Sequence, residues 1–175
     1  MGSAHPWSFI TYKANEIYID PNSTESINNC GILSNICNNL ETAIAINQLD
    51  GTRFYLKSGH TYTLSNTLMN DANDVTIAQE NATRITSKDS VDHTLVILDC
   101  NYQQCFKFQG QGIFISGMTI INGESTFGSV AQILPDQHFY FRNVKFHNNY
   151  ATEHGGVFAL ASDSLLLLIY TTFQA

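Results

Sequence analysis

Charge is what this sequence has least of. Only 13% of its 175 residues are Asp, Glu, Lys or Arg, and 8 cations face 15 carboxylates, for a formal net charge of −7. Phosphate recognition draws on clustered Lys and Arg, so this balance argues against nucleic acid as a partner. It argues equally against adsorption to anionic lipid. No segment reaches the roughly 18 apolar residues that a membrane-spanning helix needs. Met1 to Ser8 carries no charged stretch leading into a long apolar run, so no signal peptide is visible. Residues 1–15 read as an N-terminal extension or a cloning remnant. Metal-ligand spacing is also missing from the cysteines, and the chain holds no Asp-Asp pair and no Asp-x-Asp.

What the cysteines do form is two close pairs, Cys30/Cys37 and Cys100/Cys105. Four cysteines allow three pairings, of which the local one is the simplest. Two disulfides would imply an oxidising compartment. The sequons Asn22-Ser23-Thr24 and Asn81-Ala82-Thr83 agree with that setting. So does the abundance of Asn, Ser and Thr on a chain so poor in charge. The expected localisation is extracellular or at the cell surface.

The length suits a single domain with a real core. Its organising feature is a repeat between Cys100 and the C-terminus. Ile120 and Phe146 are 26 positions apart, Phe146 and Phe173 are 27, and Gly128-Ser129-Val130 precedes Gly155-Gly156-Val157 by 27. Within each unit apolar residues alternate: Phe106 and Phe108 around Lys107, Phe139 and Phe141 around Tyr140, Val144 and Phe146 around Lys145. Period two marks strands with one inward face, and a fixed spacing of roughly 20–50 residues marks a repeat architecture. Several short strands per unit without helices between them predict a parallel β-helix. Ile120, Phe146 and Phe173 then pile into one internal stack, about 4.8 Å per layer. Asn122 and Asn148 form a short corner ladder, Asn being tolerant of the left-handed conformation, and that ladder stops at Gln174.

Upstream, Glu16–Asp20 reads as a strand ended by a turn at Pro21. Asn39–Asn47 is the best helix in the chain. Leu40, Ala43 and Ile44 fall on one face, and Asn38 or Asn39 can cap its start. Strands are expected at Arg53–Lys57, Thr61–Leu64, Asp74–Ala78 and Arg84–Thr86. Leu95–Cys100 is a more continuous apolar run, as for a strand buried on both faces. The domain therefore divides into an N-terminal cap, residues 16–52 with its helix near 39–47, and coils over 53–175. The apolar Leu165–Tyr170 is too short to span a membrane and too greasy for an exposed edge. It predicts self-association through the C-terminal end, or a chain that continues.

The run Phe146-His147-Asn148-Asn149 fits F-x-x-N, and Gly155-Gly156-Val157 fits G-G-[AILV]. Together they resemble the polymorphic membrane protein repeats, which also occur in large surface β-helix proteins of protists. The wider fold resembles the right-handed, single-stranded pectin lyase-like β-helices. Strand, Cys-Gly…Cys and a short Ala-Ile helix are similar to the N-terminal region of such proteins, where a helix closes the end of the core. The motif residues have a structural use as well: Gly155 and Gly156 permit positive φ, Phe146 fills the core, and Asn149 bonds a corner backbone.

The resemblance implies a non-catalytic secreted or cell-surface module for adhesion or carbohydrate contact, with polysaccharide or another surface protein as partner. The alternatives are a polysaccharide lyase or glycoside hydrolase of the same fold, or a structural spacer in a longer surface protein. Enzymes of this fold work in a groove along one sheet and need converging carboxylates. Here the residues expected to face outward are Lys107, Gln109, Thr119, Tyr140, Arg142, Lys145 and His147, with no carboxylate among them. Asp99, Asp136, Glu153 and Asp163 fall at turns or unmatched positions. No catalytic residue is therefore assigned. Tyr140, Arg142 and His147, with Phe114, are the candidate ligand surface, since aromatic faces and planar donors suit sugars. His138, His147 and His154 are close in sequence, but a metal site needs three or four ligands in fixed geometry. Solvated histidines beside a turn are the simpler reading, and neither metal nor cofactor is expected.

Overall fold

The computed structural model describes residues 16–24, 36–79 and 96–175. These residues are mostly β-strand, with one helix. In chain order they form β1 (Glu16–Ile19), α1 (Leu40–Ile46), β2 (Arg53–Leu56), β3 (His60–Thr63), β4 (Leu68–Asn70) and β5 (Thr76–Gln79). Then come β6 (Val96–Gln103), β7 (Phe106–Phe108), β8 (Ile113–Phe127), β9 (Ala131–Ile133) and β10 (His138–His147). The last four are β11 (Tyr150–His154), β12 (Phe158–Leu160), β13 (Leu165–Ile169) and β14 (Thr172–Gln174). The strand expected at Arg84–Thr86 lies outside the described residues, as do Cys30 and Asn81.

Every ladder among the described residues is parallel. One sheet runs β1-β2-β5-β8-β10-β13 and a second runs β12-β9-β7-β4. The long β8 bends, pairing β5 with its first part, β6 further on and β11 at its end. Ile120 lies opposite Phe146, and Phe146 opposite Phe173. The stack is therefore real, although its last member is 52% exposed. One detail differs from expectation. Gln174 pairs with His147, one place short of Asn148, because the last unit carries an extra residue. Asn148 instead donates its N–H to the Gln174 carbonyl at 3.1 Å.

Residues able to take positive φ decide where the chain bends. Asn122 and Asn148 have φ of 55° and 51°, as the corner ladder required. Gly51, Asp74 and Gly112 form a second such column, and Asp136 and Asp163 a third. Gly155 and Gly156 are also positive, at 80° and 36°. Asn and Asp offset the steric cost of this conformation with short polar side chains, and Gly avoids it.

Between the bends, inward residues stack in layers. Phe106, Phe108, Phe139, Phe141 and Phe146 are all buried. Their rings meet in sequence, from Phe106–Phe108 at 5.7 Å to Phe141–Phe146 at 5.4 Å, and Phe146 reaches Phe173 at 4.9 Å. The Leu95–Cys100 region departs from the expected fully buried strand. Val96, Leu98 and Cys100 are buried, whereas Ile97 and Asp99 are half-exposed, so the ordinary alternation holds despite the apolar outward residue.

At the N-terminal end, α1 buries Leu40, Ala43 and Ile44 against β1 and β4. The Asn39 side chain caps it, accepting the Thr42 N–H at 2.8 Å. Asn70, itself buried, closes its other end by donating to the Ile44 carbonyl at 3.1 Å. Cys100 and Cys105 form a disulfide inside the core. Cys37 is disulfide-bonded too. No described helix is long and apolar enough to cross a membrane.

Candidate functional site

Outward side chains on parallel strands line up in rungs. One rung runs Arg53, Thr76, Phe114, Tyr140, Leu167 across β2, β5, β8, β10 and β13. Adjacent members sit one strand spacing apart, about 4.8 Å. Phe114 and Tyr140 therefore stand side by side as a half-exposed aromatic strip. Beside it lies a groove of about 460 Å³ lined by Asp74, Thr76, Gln111, Gly112, Phe114, His138 and Tyr140.

The turns before β5 and β8 build the polar wall of this groove. Asp74 donates its N–H to the Gln111 carbonyl at 2.7 Å, and the Asn73 side chain accepts the Gln111 N–H at 2.9 Å. Gly112 lies below the Asp74 carboxylate; a Cβ added there would come within 2.3 Å of Asp74 Oδ1. The absence of a side chain at 112 is thus what lets the carboxylate rest at the groove edge. Aromatic faces, a carboxylate, an imidazole, a primary amide and hydroxyls converge, a mixture that can bind a ring carrying many hydroxyls through stacking and hydrogen bonds.

Of the residues expected on a ligand surface, the structure brings Tyr140 and Phe114 together in the groove. Arg142 is on the same outward face two residues along β10, next to Ser116 and outside the groove lining. His147 lies further still, past the bend at Asn143 (φ 51°). Its rung neighbours are Ile121 and Gln174 and, through Ile121, Asp99. Thr119, expected to face solvent, is buried: its short side chain occupies the rung between the longer Lys145 and Ile97. His154 sits on Phe127, with ring centres 5.9 Å apart. Asp74, Gln111 and His138 were missed as groove residues. A turn aspartate three residues after Asp71 carries no local mark of its partner Gln111, which is far along the chain.

The repeat motif has structural duties. Asn149 accepts the Gly123 N–H at 2.8 Å and donates to the Ile120 carbonyl at 2.9 Å, bridging to the preceding layer. Ser129 reaches the Gly156 carbonyl at 2.8 Å, and Val157 packs against the core. Asn22 occupies an exposed turn, its N–H donating to Asp20 Oδ1 at 2.9 Å. Among the described residues no cluster of three or more His, Cys, Asp or Glu could hold a metal ion.

Comparison with protein-family models, with curated proteins and with solved structures finds no match. The chemistry of the groove has to speak for itself.

Proposed function

We propose that this chain is a right-handed parallel β-helix module of a secreted or cell-surface protein, built from polymorphic membrane protein-type repeats, whose groove contacts carbohydrate without cleaving it. The register supports the fold reading: all ladders among the described residues are parallel, and the stack of Ile120, Phe146 and Phe173 advances by 26 and then 27 residues. Right-handed crossovers between parallel strands are the rule, in about 98% of cases. The disulfides support an oxidising location.

The observation that carries the functional reading is the Phe114–Tyr140 strip beside a polar wall with a single carboxylate, Asp74. Hydrolysis of a glycosidic bond uses a pair of carboxyl groups roughly 5–9.5 Å apart. One carboxylate among hydroxyl, amide and imidazole groups supplies hydrogen bonds to a sugar instead. A glycan array followed by titration calorimetry tests this. The expected result is binding to one class of glycan, weakened about tenfold by Tyr140→Ala, the loss of roughly 1.4 kcal/mol of stacking. Release of reducing ends or of unsaturated sugar from any bound polysaccharide would replace this reading with the enzymatic one. No binding at all would leave the groove without a role.

A further inference from the structure

Several carboxylates of the first layers are held by protein partners. Glu16 meets Arg53 at 3.8 Å, Asp20 meets Lys57, Glu41 accepts the Ser65 and Asn66 N–H groups, and Asp50 accepts the Asn73 N–H at 2.7 Å. Asp74 differs. Among the described residues its carboxylate has no ion pair and no hydrogen bond, although it borders the groove.

The register shows what surrounds it. Thr76 lies opposite Phe114, and Phe114 opposite Tyr140. Two residues back along each strand, Asp74, Gly112 and His138 make the adjoining row, and all three line the groove. Gly112 stands in the middle of that row without a side chain. The row therefore holds a notch about one strand spacing wide, with a carboxylate on one side and an imidazole on the other. The Phe114–Tyr140 pair borders it along the strands.

This is a setting for positive charge. A carboxylate attracts a cation directly, and the faces of Phe and Tyr attract it through the ring quadrupole. No Lys or Arg lines the groove. Arg53 neighbours Thr76 on β2, but Glu16 offsets its charge. Arg142 lies two residues beyond Tyr140, so four residues of strand, about 13 Å, separate its row from that of Asp74. That exceeds the screening length of roughly 8 Å at physiological salt.

We propose that the notch over Gly112 seats a protonated amino group, and that the glycan of this groove is one carrying free amines, such as a hexosamine polymer without its acetyl groups. The proposal rests on the carbohydrate reading above and narrows it. Asp74 pairs with the ammonium, Phe114 and Tyr140 take the apolar face of the sugar ring, and Gln111 and His138 remain for hydroxyls. A uronate would bring like charge to Asp74. An N-acetylated sugar keeps the ring contacts but loses the charge.

Titration calorimetry of the full chain tests this against three oligosaccharides of equal length, built from glucosamine, N-acetylglucosamine and glucuronate. The amine should bind about tenfold more tightly than the N-acetylated form, the sum of an exposed ion pair and a cation–π contact, and the uronate most weakly. High salt should reduce the preference. Asp74→Asn keeps the shape and suits the positive φ of 54°. It should cut the preference about fivefold and leave binding of the N-acetylated sugar unchanged. Asp163→Asn makes the same change of charge at a bend outside the groove and should leave the preference intact. Equal binding of amine and N-acetyl forms, tightest binding of the uronate, or a preference that survives Asp74→Asn would each overturn the inference while the carbohydrate reading stands. Binding of oligolysine but of no glycan would overturn both and put a basic protein segment in the groove.

Discussion

Tyr170 is poorly suited to its place. It holds φ at 52° in the bend between β13 and β14, in the column that Gly117 (71°) and Asn143 (51°) occupy in the layers beneath. A side chain branching into a bulky ring gains nothing from this backbone region, which costs about 1 kcal/mol or more for residues other than Gly, Asn and Asp. Tyr170 is 69% exposed, so replacing it removes little burial. Tyr170→Asn should therefore raise unfolding stability by about 1 kcal/mol, read from denaturant midpoints at an unchanged m-value. Asn149 shows the opposite case. Its amide satisfies a backbone donor and a backbone acceptor of the layer below, and the fit leaves no room for a side chain at 123, where a Cβ would lie 2.7 Å from Asn149 Oδ1. The F-x-x-N motif is thus half core, through Phe146, and half backbone bridge, through Asn149.

At the scale of elements, the helix is held at both ends by asparagine. Asn39 completes the start through its own turn. Asn70 acts from β4, donating to the Ile44 and Asn47 carbonyls and accepting the Ala72 N–H at 2.8 Å. The four last carbonyls of a helix lack internal partners, so a buried side-chain amide here removes a cost that solvent cannot relieve. Asn70→Ala should destabilise the fold by about 2 kcal/mol, since buried backbone groups lose their partners. Thermal unfolding followed by circular dichroism would register it, and an effect under a few tenths would show that water replaces the amide. The strands need no comparable device, because each inward set continues the stack of the layer beneath it.

Over the whole molecule, layers are tied mainly by ladders and by the phenylalanine stack, and charge enters at few points. One is Asp20, where the chain turns after β1. Its carboxylate meets the Lys57 ammonium and accepts the Asn22 N–H, while His60 lies 4.0 Å away. The Lys57 hydrogen bond chiefly holds its pKa below the ordinary 3.8, against the opposing effect of burial. A carboxyl lowered on folding stabilises the native state above its unfolded value. That contribution fades as pH falls from 3.8 through the folded value. Asp20→Asn should therefore be less stable than the parent at pH 7, and the gap should close on acidification below that range. A gap independent of pH would mean that the amide's shape, not the lost charge, is responsible.

Alternation of Phe, Ile and Val with polar residues and the spacing of 26–27 placed β1, β2, β3, β7 and β10, the alignment of Ile120, Phe146 and Phe173, and the bends at Asn122, Asn148 and Gly155-Gly156, whereas β4, β9, β11 and β12 are too short to carry a pattern of their own and Asp74, expected to open a strand, takes a bend. The capped helix at Leu40–Ile46 was equally legible, because periodicity and capping are local. These properties depend on neighbours in the chain or on a fixed offset. The groove was not legible in that way. Asp74, Gln111 and His138 come from three separate turns and strands, and only the parallel register sets them around Phe114 and Tyr140. The same register left Arg142 and His147 out of it and buried Thr119. Alternation along the chain thus marked the inward residues of strands such as β7 and β10, while tertiary pairing decided which outward residues are neighbours and which of them, like Thr119, are covered. Inward choice follows from hydrophobicity along one strand, whereas adjacency across strands depends on how many residues separate each strand from its parallel partner.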